Sequence, residues 1–268
     1  MALPTFDYIR PTDLAAARDA FTAAGDARYL AGGQTLIPVM KQRLSQPAAV
    51  IDLAGVADLK GIRVDGDEVT IGAMTCHAEV AASREVQARI PALASLAGMI
   101  GDPQVRNRGT IGGSLANNDP SADYPAAVLG LGATVHTDSR AISADEFFDG
   151  LFTTSLAEGE IIRRVTFPVP ARAGYVKFRH PASRFALVGV MVSQSPVGVR
   201  VAATGAGASG VFRVAEMEAA LAKNFSVAAL DGITVPAADM IVDMHAPAAY
   251  RANLVAVLAR RAVSEALG

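Results

Sequence analysis

Two glycine pairs constrain this chain more than any other feature: Gly32-Gly33, within Arg28-Tyr-Leu-Ala-Gly-Gly-Gln-Thr35, and Gly112-Gly113, within Arg106-Asn-Arg-Gly-Thr-Ile-Gly-Gly-Ser-Leu-Ala-Asn117. Each follows an apolar or basic run and precedes a small hydroxyl residue. A glycine pair permits positive φ and lets the backbone come close to a ligand, so the amides that follow can point at phosphate oxygens. Two such loops can clamp the two phosphates of a dinucleotide such as FAD.

The surroundings of the first pair read as a compact βαβ-like unit over residues 1–57. Thr12 is placed to cap a helix over Asp13–Ala24 that Gly25 ends. A strand follows at Arg28–Ala31, a short helix at Leu36–Leu44 with Pro38 in its first turn, and a returning strand at Ala49–Leu53. The first glycine pair then sits at a strand-to-helix junction, where α/β folds commonly bind ligands. From about Gly61 the pattern changes. Ile62–Val64 and Glu68–Ile71 flank Asp65-Gly66-Asp67, a hairpin signature that opens an antiparallel sheet. Helices are expected at Ala78–Ala82, Pro91–Ile100 and Pro125–Leu131, with strands at Ala133–His136 and Ile161–Phe167, and Pro168-Val-Pro170 marks a boundary. Beyond it come strands at Val176–Arg179, Ala186–Ser193 and Val197–Thr204, then helices at Val214–Ala222 and Ala248–Leu267. The expected units are 1–57, 58–173 and 174–268.

Composition excludes several functions. The chain has 268 residues, net charge −2 and only 19 % charged residues, with no dense basic block to follow a nucleic-acid backbone. No apolar run approaches the roughly 18 residues of a membrane span, and the first residues lack a signal-peptide pattern, which points to the cytoplasm. Cys76 is the single cysteine, so neither an internal disulfide nor a cysteine-ligated iron–sulfur cluster can form within the chain. His77, His136, His180 and His245 are too scattered for a metal motif and read as satisfied structural or surface histidines. No metal ligands and no acid–base residue are nominated.

The second glycine pair is the more specific. Its Thr110-Ile-Gly-Gly-Ser114 core leads into a polar run, Asn117-Asn-Asp-Pro-Ser-Ala-Asp123, inside an otherwise apolar chain. Asp123 can accept from a ribose or adenine edge, or else cap the helix that follows. Arg106 and Arg108 bracket the pair and can balance diphosphate charge or form surface ion pairs. Lys177 lies on a strand and by itself reads as a solvent-facing lysine. Gly205-Ala-Gly-Ala-Ser-Gly210 matches G-x-G-x-x-G literally, yet too little chain remains for a dinucleotide domain and Val211-Phe-Arg213 intervenes before the next helix. It reads as a turn.

With these residues assembled, the chain resembles the FAD-binding medium subunits of the molybdenum hydroxylases, the xanthine dehydrogenase and aerobic carbon monoxide dehydrogenase family. The resemblance is carried by Ala31-Gly-Gly-Gln-Thr-Leu-Ile-Pro-Val-Met-Lys41, Ile71-Gly-Ala-Met-Thr75, Arg106–Asn117 with Asp119-Pro120 and Asp123, and Lys177-Phe-Arg-His-Pro-Ala-Ser183, in family order. The chain departs from the usual pattern at Cys76 and at Arg184-Phe185. The resemblance implies an α+β fold: a two-subdomain FAD-binding region of the PCMH type, then a C-terminal antiparallel sheet with helices, and FAD between them. It implies that Ala31, Gly32, Gly33, Gln34 and Thr35, with Thr110, Ile111, Gly112, Gly113 and Ser114, hold the diphosphate, Asp123 the adenosine end, and Lys177 the flavin environment. It further implies a [2Fe-2S] small subunit and a molybdenum-cofactor large subunit as partners, in a dimer of heterotrimers. Two other functions remain compatible with the residues: a stand-alone flavin reductase resembling the UDP-N-acetylenolpyruvoylglucosamine reductases, and a flavin-free assembly subunit.

Overall fold

The computed structural model describes residues 2–268, so only residue 1 of the 1–57 stretch lies outside it. The first unit is parallel. Strands β1 (Asp7–Ile9), β2 (Ala27–Leu30) and β3 (Ala49–Asp52) lie in the order β1-β3-β2, connected through helices α1 (Leu14–Ala24) and α2 (Leu36–Lys41). Helix α1 is capped by Asp13, whose Oδ1 accepts the Ala16 amide at 2.8 Å, rather than by Thr12. Gly25 ends it at φ 68°, a left-handed position that glycine occupies without strain. Helix α2 stops at Lys41, short of Leu44, because Arg43 takes φ 63°.

The second unit is built on a five-stranded antiparallel sheet, in the order β4-β5-β8-β6-β7. Its strands are β4 (Ile62–Asp65), β5 (Glu68–Gly72), β6 (Thr134–Thr137), β7 (Ala141–Ser143) and β8 (Ile162–Pro168), and Gly66 at φ 55° makes the expected hairpin turn. Between β5 and β6 run six helices, α3 (His77–Ala82), α4 (Arg84–Arg89), α5 (Pro91–Gly98), α6 (Pro103–Arg106), α7 (Ile111–Asn117) and α8 (Tyr124–Leu131), with α9 (Ala144–Phe147) after β7. Helices α4 and α6 escape the hydrophobic pattern because each is little more than a turn. They are set by local caps instead, Ser83 Oγ on the Val86 amide and Asp102 Oδ1 on the Val105 amide.

The last unit is the expected antiparallel sheet with helices. Strands β9 (Arg172–Arg179), β10 (Ala186–Ser195), β11 (Gly198–Thr204) and β12 (Phe212–Arg213) lie in the order β12-β11-β10-β9, followed by α10 (Ala215–Lys223) and α11 (Ala248–Leu267). Residues Ala186–Ser193 of β10 are buried without interruption, which requires cover on both faces. The period-two alternation divides the cover: Tyr175, Met191 and Ala202 enter the core of the second unit, while Val190, Val192 and Val201 pack with Leu254, Val255 and Leu258 of α11. Gly130 of α8 lets that helix lie on the sheet, since a Cβ there would come within 2.7 Å of Met191 Cγ. Gly205–Gly210 is a turn joining β11 to β12, as its sequence context suggests. Among the described residues, no helix is long and apolar enough to cross a membrane.

Candidate functional site

The ends of these units enclose a cleft of about 890 Å³. Its walls come from the β2–α2 connection, the α6–α7 region with the residues after it, the approach to β8, and the loop between β9 and β10. Of the nominated residues, Ala31, Gly32, Gly33, Gln34, Thr35, Thr110, Gly112, Gly113, Ser114 and Asp123 line it. Ile111 does not; its side chain is in the core of the second unit. Lys177 does not line it either.

The two glycine pairs meet here, but they are not two equivalent loops. Only Gly33 has positive φ, at 74°. Gly112 and Gly113 lie in the first turn of α7, where Thr110 Oγ1 caps the Gly113 amide at 3.2 Å. Their neighbours Ile111 and Ser114 donate to Thr75 O and Thr110 O, and Gly112 to Ala73 O. The second motif therefore offers no amide row to an anion, contrary to the reading of its sequence. Its glycines are there for proximity: a Cβ on Gly112 would come within 2.5 Å of the Ala73 Cβ, and one on Gly113 within 3.2 Å of the Ala31 Cβ. Gly32 closes the pair of motifs, because a Cβ there would collide with the Arg108 carbonyl.

The first motif supplies the donors. Among the described residues, the amides of Gly33, Gln34, Thr35 and Leu36 have no protein acceptor, and the Thr35 hydroxyl makes no cap bond. A row of free amides on the cleft that Gly112 and Gly113 also line suits a diphosphate, which wants many short donors. Among the described residues, Arg106 forms no surface ion pair. Its Nη1 donates to Ile100 O at 3.0 Å and shapes the neighbouring wall.

Asp123 and Lys177 form one buried ion pair, Nζ to Oδ1 at 2.9 Å, with the lysine side chain 0 % exposed. Tyr175 donates to the same carboxylate at 2.6 Å. Asp123 makes no cap bond to α8, and Lys177 is not solvent-facing; both sequence readings yield to this pairing. Nor can the two residues serve opposite ends of one extended dinucleotide, since they occupy a single place. Burial pushes the Asp123 carboxyl up, while Lys177 and the Tyr175 hydroxyl pull against it. The pair joins the cleft to β9, and nearby Thr204 Oγ1 on Ala122 O at 2.7 Å and the Gly205 amide on Pro120 O at 2.8 Å hold the rest of the 119–123 segment on the last sheet.

Three cleft residues were not legible from spacing. His77 is buried, and its Nδ1 lacks a partner among the described residues, so it is not the satisfied histidine its sequence suggests. Its ring lies 5.3 Å from that of Tyr124. Burial, with a smaller push from Arg106, brings its pKa down to about 4, so the imidazole is neutral. Burial likewise raises the Tyr29 hydroxyl to about 12. Glu160 accepts from Arg140, Thr137, Ser139 and the Ala157 amide, which leaves it no lone pair free for proton transfer. The Arg140 bond leads these in bringing its pKa down to about 2, against the opposing effect of burial. That stabilisation is complete above the ordinary value of 4.5 and is lost as the pH falls toward 2. Glu160→Gln should therefore flatten the acid limb of stability in this window, as read by urea midpoints; an unchanged limb would remove Glu160 from the account. No cluster of metal-ligating side chains occurs among the described residues.

Comparison with known proteins finds relatives along the length of the chain. A family model described as the FAD binding domain in molybdopterin dehydrogenase matches residues 4–170. The chain is 36 % identical over 279 residues to the medium subunit of nicotine 6-hydroxylase from Paenarthrobacter nicotinovorans, covering 99 % of each. It is 36 % identical over 282 residues to the carbon monoxide dehydrogenase medium chain of Afipia carboxidovorans, covering 98 % of this chain and 96 % of that one. Among solved structures, it superposes on a chain of carbon monoxide dehydrogenase from Hydrogenophaga pseudoflava, in a form lacking the Mo-pyranopterin moiety, with a TM-score of 0.88, 35 % identity and coverage of 100 % and 99 %.

Proposed function

Because the chain belongs to the family of FAD-binding medium subunits of the molybdopterin dehydrogenases, we propose that it holds FAD in this cleft as the flavin component of a heteromeric molybdenum hydroxylase. The observation that carries the reading is the row of free amides from Gly33 to Leu36 in a cleft that Gly112 and Gly113 also line. Those amides and the Thr35 and Ser114 hydroxyls would hold the diphosphate. The Asp123–Lys177–Tyr175 group would fix the wall contributed by the 119–123 segment, and neutral His77 would add a polar but uncharged surface. Bound there, the flavin supplies reversible one- and two-electron transfer, while the protein supplies orientation and exclusion of water.

In the assembled enzyme, electrons would arrive from a [2Fe-2S] subunit, fed in turn by a subunit carrying the molybdenum cofactor, and leave to an external acceptor. The pattern suits a cytoplasmic dimer of heterotrimers, with residues 1–57 and 58–173 as the two flavin-binding subdomains and 174–268 as the C-terminal domain. The test is flavin content. The full chain should bind one FAD and turn yellow, whereas Gly33→Asp and Gly113→Asp should stay colourless while still melting cooperatively, at a lower temperature because φ 74° at Gly33 and the close approach of Ala31 to Gly113 both disfavour a side chain. Gly33→Asp is informative because its Cβ would meet side chains that can move, Ile37 Cδ1 at 2.7 Å and Leu30 Cδ1 at 3.3 Å, and no backbone atom within that range. Normal flavin content in both variants would overturn the assignment.

A further inference from the structure

One wall of the cleft is formed by Ala182–Phe185, in the loop between β9 and β10. The loop is tied from behind. His180 Nδ1 accepts the amides of Ala182 and Ser183, each at 3.3 Å, and His180 Nε2 lies 3.2 Å from His245 Nδ1. These contacts settle the tautomers, because a nitrogen that accepts two amide hydrogens carries no proton of its own. His180 therefore bears its proton on Nε2 and donates it to His245 Nδ1. The same assignment argues against a metal between the rings, since Nε2 would have to surrender that proton to the occupied Nδ1.

His245 is in turn anchored to the core. Asp243 Oδ1 accepts the His245 and Ala246 amides at 2.9 and 3.0 Å, and Asp243 Oδ2 pairs with Arg251 Nη2 at 2.6 Å. Arg251 is buried and also donates to Leu187 O and Gly205 O. We propose that His245 is a positioning residue for the cleft: it accepts from His180 to hold the Ala182–Phe185 wall in place, and loss of that acceptor releases the wall and weakens flavin retention.

His180 is held by two amide donors as well as by its partner ring, whereas His245 Nδ1 faces a single donor. The contact between the two rings is therefore the link through which the anchored His245 holds the wall.

This inference rests on the cleft being the flavin site, and the experiment separates the two. FAD release from the loaded full chain is timed for the wild type, His245→Asn and His245→Phe. Asn keeps an acceptor near the position of Nδ1, and Phe removes it. His245→Phe should release FAD about three- to tenfold faster than the wild type, the scale of one lost hydrogen bond, while His245→Asn should stay within about twofold of it; equal rates for all three would overturn the proposal. The chain contains no tryptophan, so Phe185→Trp adds a single reporter on the wall. Its emission in the FAD-free protein should shift when His245→Phe is combined with it and hold when His245→Asn is combined instead. A chain that never binds FAD would defeat the cleft reading while this emission still decides the role of His245, and an emission unchanged by His245→Phe would refute that role.

Discussion

Gly32→Ala is expected to cut FAD affinity by at least about a hundredfold, roughly 2.7 kcal/mol. The added Cβ would fall on the Arg108 carbonyl oxygen and within 2.7 Å of both the Arg108 carbonyl carbon and Gly109 Cα. These are backbone atoms that no rotamer change can clear. Gly109 cannot retreat, because the space a Cβ would need there is held by His77 Nε2, 2.6 Å from that position. The β2–α2 connection must therefore lift away from the segment that leads into α7, which opens the distance between the free amides and the opposite side of the cleft. The strain should also destabilise the fold by about 1–3 kcal/mol, as overpacking does. Gly98→Ala is the matched control: its Cβ would sit 3.8 Å from Ala81, an ordinary contact, so melting should hold or rise slightly. Flavin titration and calorimetry on the two variants give the answer, and FAD affinity within threefold of wild type in Gly32→Ala would rule out the contact as the spacer of the site.

Lys177→Met should produce the largest loss of stability. It strips the ammonium from Asp123 and leaves a buried carboxylate with only the Tyr175 hydroxyl. Breaking one side of such a pair costs about 3–5 kcal/mol, or a fall in Tm of about 6–20 °C for a chain of this size. The variant should also acquire a pH dependence. Burial already raises the Asp123 carboxyl, and losing Lys177 raises it further. The folded form then prefers the protonated acid, so stability is greatest at low pH and falls as the pH rises through the folded-state pKa. Adding Asp123→Asn should recover most of the loss and abolish that slope. If the single and double variants melt together, the pair does not act as argued.

Much of the architecture was legible because it follows from local chemistry. The Asp65-Gly66-Asp67 hairpin, the stop at Gly25, the long apolar strand at Ala186 and the dismissal of Gly205–Gly210 as a dinucleotide fingerprint each rest on turn propensity or on residue period, which neighbours in sequence decide. Cap choice already strains this reach: Thr12 and Asp13 are adjacent candidates, and only backbone geometry selects the carboxylate. Lys177 shows where the method ends. It shares a strand face with Tyr175, a signal the sequence contained, but whether that face meets water or Asp123 depends on a segment more than fifty residues earlier.

The glycine pairs divide along the same line. Their presence, the hydroxyl residues beside them and the family pattern they carry are properties of the chain as written, sufficient to indicate a site for a dinucleotide. Which pair donates and which merely stands aside is a tertiary outcome, because it turns on where each amide finds its partner. Those of Gly112 and Gly113 are taken by Ala73 and Thr110, while those from Gly33 to Leu36 have no acceptor among the described residues. An amide's availability is fixed by the acceptors folding brings within 3.5 Å of it, and for Gly112 that acceptor lies on a distant stretch of chain.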